Sequence, residues 1–136
     1  MFSMTDNLTV AQRSYTMSRI KSKGTRQERM VHNFLNDSHI RHKMHPRLPG
    51  RPDLIIPATG IAVFLNGCFW HKCKKCYTTP KTRAAYWKSK IDRNVERDKN
   101  NTVALKRAGW KVMILWEHEI KDNWGKVEQR LLKVSR

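Results

Sequence analysis

The stretch around which this chain is organised reads Asn66-Gly67-Cys68-Phe69-Trp70-His71-Lys72-Cys73-Lys74-Lys75-Cys76. It contains all three cysteines of the 136-residue chain, in a C-x4-C-x2-C pattern, and one of its six histidines. Cysteines at these spacings in a polar segment are typical metal ligands, because a tight turn can bring their thiolates onto one ion. Three free thiols are the alternative, and a disulfide would leave one thiol over. We expect the three lysines of the stretch to lower the thiol pKa and favour metal binding.

A tetrahedral ion needs a fourth ligand, and His118 is the candidate. It follows a predicted strand, Lys111–Trp116, whose end can approach the cysteines. The proposed ligands are Cys68, Cys73, Cys76 and His118. Thiolates and an imidazole are donors typical of zinc, and four protein ligands leave no open position. We therefore expect one structural Zn²⁺.

The charge of the chain restricts its partners. It carries 28 basic and 11 acidic residues, a net charge of +17, which favours a polyanion: nucleic acid or an anionic membrane surface. No run of 18 apolar residues is present, so a spanning helix is not expected. Residues 1–13 lack the apolar segment of a signal peptide. Clustered cysteines fit a reducing compartment, so the expected location is the cytoplasm.

The length predicts one domain over residues 1–136. Residues 1–22 are basic and weakly apolar, with a helix candidate from Thr9 to Ile20. We expect them to form an arm that contacts DNA phosphates, with Arg19 and Lys21 among its contacts. A solvated terminal helix is the alternative.

Glu28 has two interpretations. Gly24 ends the first helix candidate, and Thr25-Arg26-Gln27-Glu28 matches a capping box that begins a second helix, to about Asp37. In the structural interpretation, the Glu28 carboxylate bonds back to the Thr25 amide. In the functional one, Glu28 is an acidic group near a metal site, and the two need not exclude each other.

Asp53 begins the first of two short apolar strands. Asp53–Ile56 and Ile61–Leu65 are separated by the turn Ala58-Thr59-Gly60 and predict an antiparallel hairpin. Asp53 then lies at the mouth of the hairpin, near Asn66. A third helix is expected from Thr82 to about Ala108, followed by the strand to Trp116 and a last helix over 124–134.

Six motifs lie along the chain from about Thr16 to about Glu119: Pro52-Asp53, Ile61–Leu65, Gly67–His71, Asn94–Asp98, Gly109–Val112 and Trp116-Glu117. Together they resemble the motifs of the very-short-patch mismatch repair endonucleases, the Vsr-type family, which implies a location at a bacterial or archaeal nucleoid. The resemblance implies an α/β restriction-endonuclease-like core, a central mixed β-sheet flanked by helices. It also implies an endodeoxyribonuclease that nicks one strand at T·G mismatches, in very short patch repair of deaminated 5-methylcytosine.

The catalytic assignments combine the residues with this resemblance. Asp53 is the expected carboxylate ligand of Mg²⁺, and the resemblance implies two ions shared with the backbone carbonyl of Leu65. His71 is the candidate general acid or base, since imidazole changes charge near neutral pH. Its alternatives are a zinc ligand or a surface histidine. Asp98 is expected to orient His71, and Glu28 to lie nearby.

Two departures from the family pattern affect these assignments. Where the best-known members have Thr-His before Gly-Cys-Phe-Trp-His, this chain has Leu65-Asn66. Asn66 cannot transfer a proton, although its amide can hold a water or a phosphate oxygen. Cys73 replaces a histidine of the family's zinc cluster and His118 replaces a cysteine, a change that keeps zinc chemistry.

Aromatic residues beside basic ones form the expected DNA-contact group. Phe69, Trp70 and Trp87 are predicted to stack on or wedge between bases. The alternative is that all three are core residues, and the helical spacing of Trp87 favours it more for Trp87 than for Phe69 and Trp70. The remaining predicted DNA contacts are Arg83 and Asn94. The implied partner is mismatched double-stranded DNA bound by a monomer. Mismatch-repair proteins or a cognate cytosine methyltransferase are further implied partners.

Two rival functions remain open from the sequence. One is a non-catalytic, zinc-containing nucleic-acid-binding module. Such a module has no need of the Asp53 carboxylate, which repels phosphate. The other is a restriction or homing nuclease on the same core that cuts both strands.

Overall fold

A four-stranded mixed β-sheet forms the centre of the computed structural model, which describes residues 25–135. The elements in chain order are α1 (Arg26–Asp37), β1 (Lys43–Met44), β2 (Leu54–Ile56), β3 (Ile61–Asn66), α2 (Ala84–Arg107), β4 (Lys111–Trp116), α3 (Glu117–Asp122) and α4 (Trp124–Val134). The predicted N-terminal arm, with Arg19 and Lys21, lies outside the described residues.

The predicted hairpin is confirmed. β2 pairs antiparallel with β3, with Leu54 opposite Val63 and Ile56 opposite Ile61. The connecting turn places Gly60 at φ +67°, a left-handed conformation that glycine adopts without strain. β1 adds an antiparallel edge strand with Met44 opposite Leu54.

β4 pairs parallel with β3, and α2 forms the crossover between them. Asn66 lies opposite Trp116 at the ends of these strands. Because the carboxyl ends of parallel strands meet at one edge of a sheet, the cysteine stretch and α3 emerge side by side. This topology brings together residues that are about fifty positions apart in the sequence.

The end of α2 follows from Gly109. The Trp110 N–H donates to the Leu105 carbonyl at 3.0 Å, and the Gly109 N–H donates to the Lys106 carbonyl at 3.1 Å. These bonds form a Schellman motif, in which Gly109 adopts φ +93°. The helix predicted up to Ala108 therefore ends where the sequence places it.

Helices cover both faces of the sheet. One face packs against α1, α3 and α4, and its fully buried residues include Val31, Leu115 and Leu131. The other face packs against α2, where Leu105 clusters with Ile55 of β2 and Ala62 of β3. This arrangement confirms the predicted α/β class with a central mixed sheet and flanking helices. Within residues 25–135, none of the helices is long and apolar enough to cross a membrane.

Candidate active site and metal centre

A cleft of about 790 Å³ opens at the carboxyl edge of β3 and β4. Two clusters of metal-ligating side chains contribute to its lining: Glu28 and Asp53 from a cluster that also contains His45, and Cys68, Cys76 and His118 from a cluster that also contains Cys73. Ligand atoms within each cluster lie within 4.8 Å of one another. The cleft also contacts His71 and Asp98, so most of the predicted catalytic residues share one cavity.

The cysteine cluster has the dimensions of a tetrahedral zinc site. Nδ1 of His118 lies 3.3 Å from Sγ of Cys68 and 3.6 Å from Sγ of Cys73. Ligands at zinc's usual distances, about 2.3 Å for sulfur and about 2.0–2.1 Å for nitrogen, are about 3.5 Å apart in a tetrahedron. The structure thus gathers the four ligands predicted from the sequence, and their donor set fits a zinc ion.

Local hydrogen bonds give the cysteine stretch its shape. The Cys73 N–H donates to the Cys68 carbonyl at 2.9 Å, and the Tyr77 N–H donates to the Cys73 carbonyl at 2.9 Å. Glu117 accepts a hydrogen bond from the Cys68 N–H at 3.2 Å, which ties the stretch to the start of α3. His118, the next residue of α3, is thereby placed against the thiols.

The thiols differ in acidity for reasons other than those expected. Burial, together with the neighbouring Cys73 and Cys76, raises the pKa of Cys68 to about 12, although a backbone hydrogen bond from His118 acts in the opposite direction. Burial also raises the pKa of Cys73, but hydrogen bonds from the backbone N–H groups of Lys75 and Cys76, together with those from the Cys68 and Cys76 side chains, lower it below the usual value. The expected lowering by the lysines is therefore wrong for Cys68. For Cys73, the main cause of the lowered pKa is the hydrogen bonds from backbone amides.

The second cluster contains a histidine that the sequence reasoning missed. Nε2 of His45 lies 3.1 Å from Oε2 of the buried Glu28, and both contact the region of Asp53. The His45 N–H donates to the Asp53 carbonyl at 2.8 Å, which continues the pairing of β1 with β2. Extending the predicted hairpin by one more antiparallel strand would have placed His45 opposite Asp53.

Glu28 lies at the capped start of α1 and beside the acidic cluster, and the predicted bond of its carboxylate to the Thr25 amide stays a prediction. Oγ1 of Thr25 accepts a hydrogen bond from the Glu28 N–H at 3.2 Å, so Thr25 caps α1 as expected. The carboxylate meanwhile points to His45 and Asp53. A helix N-terminus thus places an acid in the cleft.

The environment of Asp53 disfavours its ionised form. Burial raises its pKa above the usual 3.8, and the charge of Glu28 adds to this. A hydrogen bond from the Leu65 N–H to Oδ2, at 2.7 Å, acts in the opposite direction, as do His45 and His71. Two adjacent carboxylates in a half-buried site form a favourable environment for a cation.

His71 and Asp98 form a direct pair. Nδ1 of His71 lies 2.6 Å from Oδ2 of Asp98, and both side chains are about one-quarter to one-third exposed, at 27% and 29%. Asp98 reaches the loop from the middle of α2. The predicted contact between the two residues is present, and their catalytic roles remain predictions.

Leu65 and Asn66 lie where the hairpin meets the cleft. The N–H group of Leu65 contacts Asp53. The role of the Leu65 carbonyl as a metal ligand stays a prediction. Asn66 is buried at the end of β3 and contacts the cleft.

The aromatic residues form one cluster, and only part of it faces solvent. The Phe69 ring centroid lies 5.4 Å from that of Trp70 and 5.6 Å from that of Trp87. Trp87 is fully buried, whereas Phe69 and Trp70 are half-buried. Burial favours the alternative interpretation of Trp87 as a core residue, because Phe69 and Trp70 pack against its ring, and its contact with bases stays a prediction.

Asn94 and Arg83 have partners within the protein. Nδ2 of Asn94 donates to the Trp70 carbonyl at 3.1 Å, which fastens the aromatic loop to α2. The Arg83 guanidinium lies 5.1 Å from the Tyr86 ring centroid on the exposed surface. Their predicted contacts with DNA stay predictions. Sequence reasoning did not single out three basic residues at the cleft: Arg51, Arg97 and Lys121.

Comparison with known proteins agrees with this site. Residues 5–78 match the family described as DNA mismatch endonuclease Vsr. The chain is 38% identical over 134 residues to the type II nicking enzyme V.XorIIP of Xanthomonas oryzae pv. oryzae, covering 96% of this chain and 97% of that enzyme. It is 36% identical over 110 residues to the DNA mismatch endonuclease Vsr of Escherichia coli strain K12, covering 79% and 70%.

The fold has a match among solved structures. The catalytic domain of the homing endonuclease I-Bth0305I superposes with a TM-score of 0.56 at 23% identity, over 82% of this chain and 94% of that domain. This likeness shows the fold alone. Together with the matching relatives, the fold and the cleft define an endodeoxyribonuclease of the restriction-endonuclease-like class.

Within that class, the chain belongs to the DNA mismatch endonuclease Vsr family. Membership confirms the predicted family and enzyme class, that of a DNA nicking or mismatch endonuclease. Such nucleases use divalent metal. The Glu28, His45 and Asp53 donors fit a divalent cation, because two carboxylates and an imidazole converge there.

Proposed function

We propose that this protein is a Mg²⁺-dependent endonuclease that nicks one DNA strand at T·G mismatches, in very short patch repair of deaminated 5-methylcytosine. The observation that carries the proposal is the shared cleft, which is lined by the carboxylates of Glu28 and Asp53 and by the His71–Asp98 pair. The printed names of the relatives from Xanthomonas oryzae and Escherichia coli, a nicking enzyme and a mismatch endonuclease, support it. The proposed partner is mismatched double-stranded DNA, bound by a monomer.

The carboxylates have a defined part in this chemistry. Asp53 and Glu28 would hold the cation, with the Leu65 carbonyl, waters and phosphate oxygens as further ligands, and a second ion shared by Asp53 is part of the proposal. When bound, the metal supplies a water of lowered pKa and neutralises charge on the phosphate. The Asn66 amide would hold a water or a phosphate oxygen.

His71 and Asp98 would move the proton. An ionised carboxylate only accepts hydrogen bonds, so Nδ1 of His71 would carry the proton and donate it to Asp98. This leaves Nε2 to accept a proton from water or return one to the leaving oxygen, and Asp98 stabilises the charged imidazole.

Contacts to DNA would come from the surface around the cleft. Arg51, Arg97 and Lys121 supply positive charge beside the reacting phosphate. Phe69 and Trp70, which pack on the buried Trp87, would insert beside a T·G pair. A mismatched pair unstacks at a lower cost than a Watson–Crick pair. Zn²⁺ bound by the cysteine cluster would keep this loop rigid. A cognate cytosine methyltransferase or mismatch-repair proteins would act on the same DNA.

Single-turnover cleavage of matched duplexes tests the proposal. Two duplexes that differ only in a T·G or a T·A pair are labelled on each strand and incubated with zinc-loaded protein, with and without added Mg²⁺. Omitting Mg²⁺, rather than adding a strong chelator, keeps the zinc site intact. The expected product is a nick in one strand of the T·G duplex, seen only with Mg²⁺.

Each contrary product identifies a rival. Cleavage of both strands, or linearised plasmid, would indicate a restriction or homing nuclease. Mismatch binding without cleavage in any divalent metal would indicate a non-catalytic module. Equal cleavage of the two duplexes would contradict the mismatch preference and leave the nicking activity of the family.

A further inference from the structure

We infer that His45 is a third protein ligand of the catalytic divalent cation, beside Glu28 and Asp53, and that its nitrogen shifts the preference of the site from Mg²⁺ toward Mn²⁺. The inference rests on the proposed function in placing the cation at this cluster. The histidine ligand, and the metal preference that follows from its nitrogen, extend that proposal.

The distances in the cluster match those around an octahedral cation. Two ligands at about 2.1 Å on adjacent corners of an octahedron are about 3 Å apart. Nε2 of His45 and Oε2 of Glu28 are 3.1 Å apart, and the ligand atom of Asp53 lies within 4.8 Å of both. One cation can therefore contact all three side chains with little movement.

The backbone fixes the imidazole in this position. The His45 N–H donates to the Asp53 carbonyl at 2.8 Å, so the two residues are paired across adjacent strands. His45 adopts φ +49°, a left-handed conformation that a residue with a Cβ atom adopts at a cost of about 1–2 kcal/mol. The buried Pro46 follows directly, which restricts the chain further. The ring is thus directed into the cluster by the main chain and needs no rearrangement.

The partners of the ring are also placed for a ligand role. Glu28 is 5% exposed and is supplied by the first turn of α1. Asp53 gives one carboxylate oxygen, Oδ2, to the Leu65 N–H, and its second oxygen remains for a cation. The donors thus come from three separate parts of the chain: the first turn of α1, the residue after β1 and the residue before β2.

The kind of donor determines the preferred metal. Mg²⁺ binds oxygen ligands and keeps most of its waters, and gains little from an imidazole. Mn²⁺ accepts carboxylates and also binds imidazole nitrogen, as first-row transition metals do. A site made of two carboxylates and one histidine should therefore bind Mn²⁺ more tightly than Mg²⁺, whereas a site made of Asp53 and Glu28 alone would discriminate less.

The rival role for His45 is a hydrogen bond that only positions Glu28. In that case removing the ring would weaken binding of both metals equally. The ligand role instead predicts an unequal effect, since only the metal that uses nitrogen loses a bond.

Metal binding in the absence of DNA separates the two roles. Zinc-loaded wild type, His45→Asn and His39→Asn are titrated with Mn²⁺ and, in competition, with Mg²⁺, and free Mn²⁺ is measured by electron paramagnetic resonance. His39 is a matched control, because it is exposed, lies before β1 and also has a left-handed φ, +57°. Asparagine tolerates that conformation, so both substitutions keep the backbone.

The expected result is selective. His45→Asn should weaken Mn²⁺ binding at least about tenfold. Mg²⁺ affinity should change by less than about threefold, since oxygen ligands remain. His39→Asn should match the wild type. An unchanged Mn²⁺ affinity, or an equal loss for both metals, would overturn the ligand assignment.

A measurement on the wild type alone tests the ligand role even if the His45→Asn variant does not fold. Bound Mn²⁺ in the wild type should show coupling to a histidine nitrogen in electron spin echo measurements, and its absence overturns the inference without any variant. Because no cleavage is measured, failure of this test is distinct from failure of Mg²⁺-dependent nicking.

Discussion

Nδ1 of His71 lies 2.6 Å from Oδ2 of Asp98, although the two residues come from a zinc-site loop and from the middle of a long helix. The loop is fastened at its other side by Asn94, one turn earlier in the same helix, which bonds to the Trp70 carbonyl. Asn94 and Asp98, the first and last residues of the Asn-Val-Glu-Arg-Asp motif, therefore hold the Phe-Trp-His segment over the cleft.

The first prediction concerns this pair. His71→Ala should slow single-turnover nicking by about 10²–10⁴-fold, the usual contribution of a positioned acid or base. Asp98→Asn should slow it at least about tenfold, because a neutral amide no longer stabilises the charged imidazole. DNA affinity should stay near that of the wild type for both variants. Lys99→Ala, an exposed neighbour on α2, is the matched control, and equal effects of Lys99→Ala and Asp98→Asn would contradict the assignment.

A second prediction uses the raised pKa of Asp53. Because burial raises it above 3.8, the folded protein disfavours the carboxylate more than the unfolded chain does. The stability that the neutral form contributes is present below the unfolded pKa and is lost as pH rises through the folded pKa. Without added divalent metal, Asp53→Asn should therefore melt at a higher temperature than the wild type at pH 7. Its amide oxygen can still accept the Leu65 N–H.

The difference in melting temperature should disappear below about pH 4, where Asp53 is neutral in both states. The same variant should lose nicking while keeping mismatch binding, since Asp53 repels phosphate. Thermal denaturation over pH and nicking assays measure the two effects. An active Asp53→Asn enzyme would end the proposed role of this carboxylate.

Much of the fold follows from local sequence signals. Apolar runs interrupted by Ala58-Thr59-Gly60 define the hairpin, and Gly109 defines the end of the long helix. Thr25 marks the start of α1 through its side-chain oxygen. These features depend on neighbouring residues only, so the sequence contains what is needed to place them.

The parts that the sequence did not reveal depend on pairing across the sheet or on packing. His45 joins the acidic cluster through a strand of two residues, too short for a recognisable pattern. Trp87 has the helical spacing of a core residue and lies beside Phe69 and Trp70, which are predicted to contact DNA, and only packing shows that the Trp87 ring is buried. The acidity of Cys68 and Cys73 likewise depends on burial and on which backbone amides point at each sulfur.

The third prediction concerns zinc. Purified protein should contain about one Zn²⁺, and Cys73→Ala should lose it and unfold. Structural zinc binding is worth about 10–16 kcal/mol in small peptides, which exceeds the whole stability of most domains. Metal analysis and circular dichroism measure the outcome, with Lys74→Ala, an exposed residue of the same loop, as control. A folded, zinc-free wild type would refute the site.

The fourth prediction separates the aromatic residues by burial. Trp87→Ala should lower the free energy of unfolding by about 3–5 kcal/mol, as expected for a fully buried ring. Phe69→Ala and Trp70→Ala should cost less stability and instead reduce the ratio of T·G to T·A cleavage rates. Denaturant unfolding and single-turnover nicking give the two quantities. Loss of discrimination only in Trp87→Ala would reverse these roles.

The last prediction concerns the basic surface of the cleft. Affinity for duplex DNA should fall steeply with salt, because each phosphate contact releases a counterion and adds about 0.9 to the slope of log K against log salt. Arg51→Ala and Lys121→Ala should each reduce that slope by about 0.9, since both residues contact the cleft. Lys126→Ala, on the exposed side of α4, removes the same charge away from the cleft and should leave the slope unchanged. Fluorescence anisotropy over a salt series measures all three. If the control reduced the slope as much as the cleft variants, the overall charge of +17, rather than specific phosphate contacts, would account for DNA binding.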